Sequence, residues 1–362
     1  MMNAAKILHT YLTQELEHPV PFAGDIVHLE YPPKENSVGV TVDTRSNFIA
    51  TFTITVPASE LEPTIENAKL AIVRNLGFNA KDPASIDAAR KKLGDKAFEE
   101  HTENMVRLAF LSTAMMRTGV FAFLSPEILP SKPIKLGEDY IFQAQMTLRP
   151  RSGLTSTKAP AIKKPAKPEI TNQAINERMN QMIGGNVPWD MVSSDKSESV
   201  EKLRSQMRDL ISAENESQWH EEVVNLCLDE MVKRLTEEVP YKHIELLRDN
   251  MANSYASNLV SNGVDWDAYI ASPGFNLNDF KQQMTMNAIS ALNRGMALDA
   301  LAEALKIKLT EDDILGAAGQ VAPGHEAEAI QGMLQTGQLP QLCEVTKRIK
   351  AGDWLVRNCK DA

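Results

Sequence analysis

The stretch VTVDTRSNFIATFTITVPASELEPTIENAKLAIVRNLGF, residues 40–78, changes its period halfway along. In the first half the apolar residues alternate. Val38, Val40 and Val42 share one face, and Phe48, Ala50, Phe52, Ile54 and Val56 do the same after a break at Arg45–Asn47. Threonines fill most of the opposite positions, so the pattern predicts a β-hairpin with one wet side. The second half carries Leu61, Ile65, Ala68, Ile72 and Leu76 at helical spacing. Between the two, Ser59-Glu60-Leu61-Glu62 has the form of a capping box, with Ser59 and Glu62 satisfying free amides at a helix start.

Downstream, a helical region covers roughly 84–122, pausing near Gly94, before Pro126, Pro130 and Pro133 break the pattern. Tyr140, Phe142, Ala144, Met146 and Leu148 alternate again and add a strand. Strand–strand–helix–helix–strand predicts an α+β domain over residues 38–150, built on an antiparallel sheet. Upstream, residues 1–37 form an N-terminal extension that opens with an amphipathic helix bearing Ile7, Leu8, Tyr11, Leu12 and Leu16. Composition shifts at Pro150, and the Pro- and Lys-rich residues 151–170 read as an extended, solvated linker. From 171 to 362 the pattern is helical throughout, predicting an elongated all-α domain. Its stripes run through Leu203, Met207, Ile211 and Met231, then Leu247, Met251, Tyr255 and Leu259, then Met284, Leu292, Met296 and Leu305. Most such stripes are helix-on-helix core.

At 362 residues the chain is long enough for two or three domains. A formal charge of -10 opposes general nucleic-acid binding. Three distant cysteines (Cys227, Cys343 and Cys359) with no CxxC pair fit a reducing compartment, and no apolar run is long enough for a membrane span. The expected location is the cytoplasm. Phosphate-binding, dinucleotide, serine-hydrolase and HExxH motifs are absent from the sequence, so no enzyme, cofactor or metal site is expected. The seven histidines are scattered, and His220 and His243 read as solvated side chains on charged helix faces. The one suggestive bias is 16 methionines against 6 tyrosines and 4 tryptophans. Flexible, polarizable methionine suits surfaces that fit many apolar partners, and it also fills irregular core.

Residues 40–78, with their hairpin, capped helix and closing Gly-Phe, resemble the opening of trigger factor, the ribosome-associated bacterial chaperone. KLGEDYIFQAQMTLRP (135–150) resembles the last strand of that domain, and KPEITNQAINERMNQM (167–182) the helix after its linker. SDKSESVEKLRSQMRDLI (194–211) and EEVPYKHIELLRDNMANSYASNLVSNGVDWDAYIAS (237–272) resemble its helical entry and arm. The resemblance implies an ATP-independent holdase whose helical cradle takes unfolded or nascent polypeptides. Met207, Ile211, Met231, Leu247, Met251, Tyr255, Met284, Leu292 and Met296 are the client-binding candidates. The alternative is a dedicated interaction protein on the same scaffold, holding one partner or a second copy of itself.

Two departures from the family are visible. Where the family's docking loop carries cations, this chain reads Gly77-Phe78-Asn79-Ala80-Lys81-Asp82, a degenerate loop from which weak or absent ribosome docking is expected. Where the family inserts an FKBP-like prolyl isomerase, only IGGNVPWDMVSS (183–194) stands, so isomerase activity is not expected.

Overall fold

A computed structural model describes residues 4–34, 37–45, 48–183 and 198–362. Helix α1 (Ala4–Thr13) comes first, then β1 (His28–Tyr31), β2 (Gly39–Thr44) and β3 (Ile49–Val56). After α2 (Ala58–Asn75), α3 (Ala84–Leu93) and α4 (Asp95–Thr118), strands β4 (Glu127–Ile128) and β5 (Tyr140–Thr147) complete an antiparallel sheet of order β1-β2-β3-β5-β4. The hairpin pairs as its alternation dictates. Val42 faces Phe52, which faces Ala144, and Val40, Ile54 and Phe142 align one step away, all on the buried side. Burying each of these large side chains is worth about 1.5–3 kcal/mol. The edge strands β1 and β4 were not expected: one is four residues long, the other two residues between Pro126 and Pro130.

The capping box at Ser59 is not used. Helix α2 begins at Ala58, after Pro57, and its first amide is bonded instead by the Asp139 carboxylate, 3.0 Å away across the sheet. At the other end the Gly-Phe signal is realised. Gly77 adopts φ +82, the left-handed conformation glycine takes without strain, and the Phe78 amide reaches back to the Val73 carbonyl.

Among the described residues, eight helices and a short strand pair follow. They are β6 (Ala161–Ile162), α5 (Asn172–Ile183), α6 (Glu198–Val232), α7 (Tyr241–Ser261), α8 (Trp266–Ile270), α9 (Leu277–Ala304), α10 (Glu311–Val321), α11 (Glu326–Gln335), α12 (Leu339–Asn358) and β7 (Lys360–Asp361). Thr310 caps α10 with a complete capping box to Asp313. The architecture is α+β: an N-terminal sheet with helices, then a helical arm. Residues 184–197, which hold most of the segment 183–194 and of the Asp195–Glu198 start signal, lie outside the described residues, as do Ser46 and Asn47 at the hairpin break.

Two large cores hold the molecule. The first joins the sheet to α2 and α4, and the same core takes in Ile314 and Ala318 of α10, Ile330 and Leu334 of α11, and Leu339 and Cys343 of α12. Ala4 and Leu8 of α1 are buried in it too. Covered from several sides, α4 is buried at every position from Ala109 to Thr118. The second core packs Val223, Cys227 and Met231 of α6 against Leu301 of α9 and Leu355 of α12.

The Pro- and Lys-rich linker is extended, yet it is not the free, solvated connector that its composition suggested. It lies along α6: Trp219 donates to the Pro165 carbonyl at 2.8 Å, with Lys167 over its ring, and Leu154 bridges Leu235. Parallel pairing of β6 with β7 then ties the linker to the end of the chain.

Candidate functional site

The arm is the antiparallel pair α7 and α9, with α8 across its far end. Helix α7 closes at Gly263 (φ +80), where the Val264 amide reaches the Leu259 carbonyl. Asp265 caps α8, its carboxylate accepting from the Asp267 and Ala268 amides, and Asn276 caps α9 in the same way. These caps fold the loop back and bring five aromatic rings together: Tyr255, Trp266, Tyr269, Phe275 and Phe280. Their contacting centroids lie 5.4 to 6.5 Å apart, and the Tyr255 and Tyr269 hydroxyls share a hydrogen bond of 3.0 Å. None of the five is fully buried. Val260 (57% exposed), Leu277 (53%), Val264 and Ile270 are exposed in the same stretch of chain, and Met286 (58%) and Ile289 are exposed farther along α9. Exposed apolar side chains gathered beside a partly open aromatic cluster are the composition of a binding face.

The nine candidate side chains divide by position. Met231 is fully buried in the second core, and Met207 is buried with Ile175 and Met179 where α5 crosses α6. Leu292 and Met296 are also buried, because the C-terminal half of α9 turns its stripe toward neighbouring helices. Those four offer almost no surface to a client. Leu247, Met251 and Met284 are half-buried on the arm, Tyr255 is exposed within the aromatic cluster, and Ile211 is half-buried against α5. Trp266, Tyr269, Phe275 and Phe280 were missed. The signal for them is density: with Tyr255 they are five of the chain's aromatics (Phe 11, Tyr 6, Trp 4) within 255–280, in a turn-rich stretch where no core stripe runs.

The root of the arm is where sequence reading went furthest wrong. His243, read as solvated, is the one residue of α7 that is fully buried. Its Nε2 donates to the Leu148 carbonyl at 2.8 Å, Phe48 and Phe123 enclose the ring, and Nδ1 has no partner among the described residues. Burial holds its pKa below the ordinary 6.5. The unfolded chain therefore binds the proton first, and stability that is complete above pH 6.5 falls as the pH drops below it. We expect denaturant unfolding to show this loss, with a slope of at most about 1.4 kcal/mol per pH unit. His243→Phe should remove this contribution, seen as a parent-minus-variant difference that changes between pH 7.5 and 5.5 while the opposite titration of Glu344, common to both, cancels; a pH-independent difference would rule the residue out.

Beside it lies a buried ionic joint. Arg149, at the end of β5, contacts Glu344 of α12 and lies 3.6 Å from Asp299 of α9. Arg348 grips Asp299 with two bonds of 2.7 and 2.6 Å. Burial pushes Glu344 up to about 7 and lowers Arg149, each toward its neutral form, against their mutual attraction. The docking-loop residues sit elsewhere, at the turn between α2 and α3. Gly77, Asn79 and Lys81 are exposed, and Phe78 is half-buried under Lys92. The Asn79 side chain accepts from the Lys81 amide and Asp82 caps α3 through the Ala84 amide, so both are tied into the turn itself.

Among the described residues no helix is long and apolar enough to cross a membrane. Residues 38–182 match the model of the bacterial trigger factor protein, and residues 199–357 match the model of the bacterial trigger factor protein C-terminus. The trigger factor of Lysinibacillus sphaericus is 31% identical over 169 residues, which cover 45% of this chain and 38% of that one. The trigger factor of Desulforamulus reducens is 25% identical over 176 residues, covering 47% and 40%. The chain thus spans about two fifths of the length of the curated relatives it matches. A solved structure of the trigger factor chaperone aligns with a TM-score of 0.37 at 13% identity, covering 87% of this chain and 99% of that one. The sheet-and-helix unit answers to one of these models and the helical arm to the other, in the same chain and order: the protein belongs to the trigger factor family.

Proposed function

We propose that this protein is an ATP-independent holdase that captures apolar stretches of unfolded or nascent polypeptides at the tip of its arm. The observation that carries the reading is the open aromatic cluster of Tyr255, Trp266, Tyr269, Phe275 and Phe280, with exposed aliphatic residues in the same stretch of chain. Rigid aromatic anchors at a partly desolvated site dominate apolar recognition. Many weak contacts of this kind release a client as it folds, without nucleotide. A cytoplasmic location is proposed with it, and membership of the family supports that reading.

Light scattering of several chemically unfolded proteins, without ATP, tests the reading. Excess protein is expected to suppress aggregation of all of them. Unchanged scattering with every client would favour a single dedicated partner or self-association. The holdase is further proposed to lack prolyl-isomerase activity. In support, the matched stretches end at 182 and resume at 199, so little chain lies between them. A proline-limited refolding rate should accordingly be unaltered by the protein.

Ribosome docking is proposed to be weak. The turn after Gly77 offers Asn79 and Asp82, whose side chains are engaged with backbone amides, in place of cations that could meet phosphate. Replacing Asn79→Arg and Asp82→Lys together should raise co-sedimentation with ribosomes and steepen its salt dependence. Tight, salt-resistant pelleting of the unmodified protein would refute this.

A further inference from the structure

Away from the arm tip, a cleft of about 710 Å³ opens between residues 16–22, the end of β5, α9 and α12. Val20, Phe22, Phe121 and Ile307, all half-buried, give it apolar walls. Its size falls in the range of ligand-binding clefts. The charges around it are unevenly satisfied. Every carboxylate lining it already has a cation: Glu17 pairs with Lys34 and Arg117, Asp299 with Arg348, Glu303 with Arg151, and Glu344 with Arg149. Two lining cations, Lys306 and Lys347, make no ion pair among the described residues. Lys347 feels Glu344 only at longer range and rests 5.9 Å from the Tyr11 ring. Lys306 is held in the left-handed region (φ +52), a conformation uncommon for a residue with a side chain. In a chain of net charge -10 the cleft is therefore a local site of unneutralised positive charge with apolar walls.

We infer that this cleft is a second client subsite, one that takes an extended segment carrying acidic side chains between apolar ones. The inference rests on the holdase reading and names a client chemistry for a separate site. An extended chain sends alternate side chains to opposite sides, so one edge can lie on the apolar wall while the other meets the lysines. The arm tip has the opposite rim, with Asp265, Asp267 and Asp279 beside its aromatic rings and only Lys281 near the start of α9. One client could thus be held at two places by stretches of opposite charge, and linked weak sites of this kind multiply in avidity.

The test uses two dansyl-labelled peptides, one alternating leucine with glutamate and the other leucine with lysine, followed by fluorescence anisotropy on the full chain. The unmodified protein should bind the glutamate peptide, and moderate salt should weaken that binding. The variant Lys306→Glu with Lys347→Glu should bind the glutamate peptide at least about tenfold more weakly and the lysine peptide more tightly, an inversion that misfolding cannot produce. A second variant, Lys306→Asn with Lys347→Gln, keeps the backbone preference at 306 and should lose the glutamate peptide without inversion. Trp266→Ser with Phe280→Ser should leave glutamate-peptide binding within about twofold while impairing aggregation suppression. Glutamate-peptide affinity that is unchanged in both lysine variants, or lost in the arm-tip variant, would overturn the inference. Failure of aggregation suppression in the unmodified protein, with lysine-dependent peptide binding intact, would instead refute the holdase reading alone.

Discussion

Replacing Trp266 and Phe280 together with serine is expected to raise the concentration needed for half-maximal aggregation suppression by more than tenfold. Trp266 stands between Tyr255, Tyr269, Phe275 and Phe280, and Phe280 in turn touches Tyr255 and Phe275. Removing both opens the cluster from its centre. Central aromatic anchors commonly carry 2 kcal/mol or more of a binding energy, and about 1.4 kcal/mol is a factor of ten, so two of them exceed that threshold. Neither residue belongs to the large cores, so the main unfolding transition should stay in place. Suppression that survives the double variant would move the client site off the arm tip. A loss accompanied by a shifted main transition would mean that the tip is structural.

The second large effect belongs to Arg149. Replacing it with methionine leaves Glu344 buried against an apolar surface, with Arg348 already committed to Asp299. An uncompensated buried charge typically costs about 3–5 kcal/mol, and denaturant unfolding at pH 8 should show a loss of that order. The loss should shrink toward pH 6, because Glu344, pushed up to about 7 by burial, takes up a proton and no longer needs its partner. Pairing Arg149→Met with Glu344→Met should recover most of the stability, since an apolar pair of similar volume often replaces a buried ion pair at little cost. A single-variant loss below about 1 kcal/mol, or a double variant no better than the single, would show that the joint is not what holds β5, α9 and α12 together.

The sheet was legible because strand alternation is strictly local. Val40, Phe52 and Phe142 declare their face within a few residues, and the pairing register follows from that face. The short edges were not legible. HLEY and the two residues of β4 are too brief to show a period and form only because a neighbouring strand is already in place. On the helices, periodicity located the stripes but said nothing of what covers them. Met231 and Met251 occupy the same kind of position on α6 and α7, yet one faces a second helix layer and the other lies on a two-helix arm. His243 shows the same limit from the polar side. Flanked by Lys242 and Glu245 it reads as wet, but the bend of the chain at Pro240 turns its own face onto Leu148, Phe48 and Phe123. Capping failed where the bond came from far away, since no local pattern could assign Asp139 to the first amide of α2.

The first core bears on the order in which the chain can fold during its own synthesis. The hairpin leaves the ribosome early, but the hydrophobic face it shares with α4 is closed by Ile314, Leu334 and Cys343, made some 250 residues later than Val56 (residue 314 against 56). Translation at about 5–20 residues per second puts more than ten seconds between the two events. Over that interval the sheet is only partly roofed, and the contacts that finish it span most of the sequence, which slows their formation further. Helix α1, made before the hairpin, can rest on α4 but must likewise wait for α10 and α11 to cover the remainder of its buried side. Growing on the ribosome, this chain passes through the same exposed state as the polypeptides it is proposed to protect.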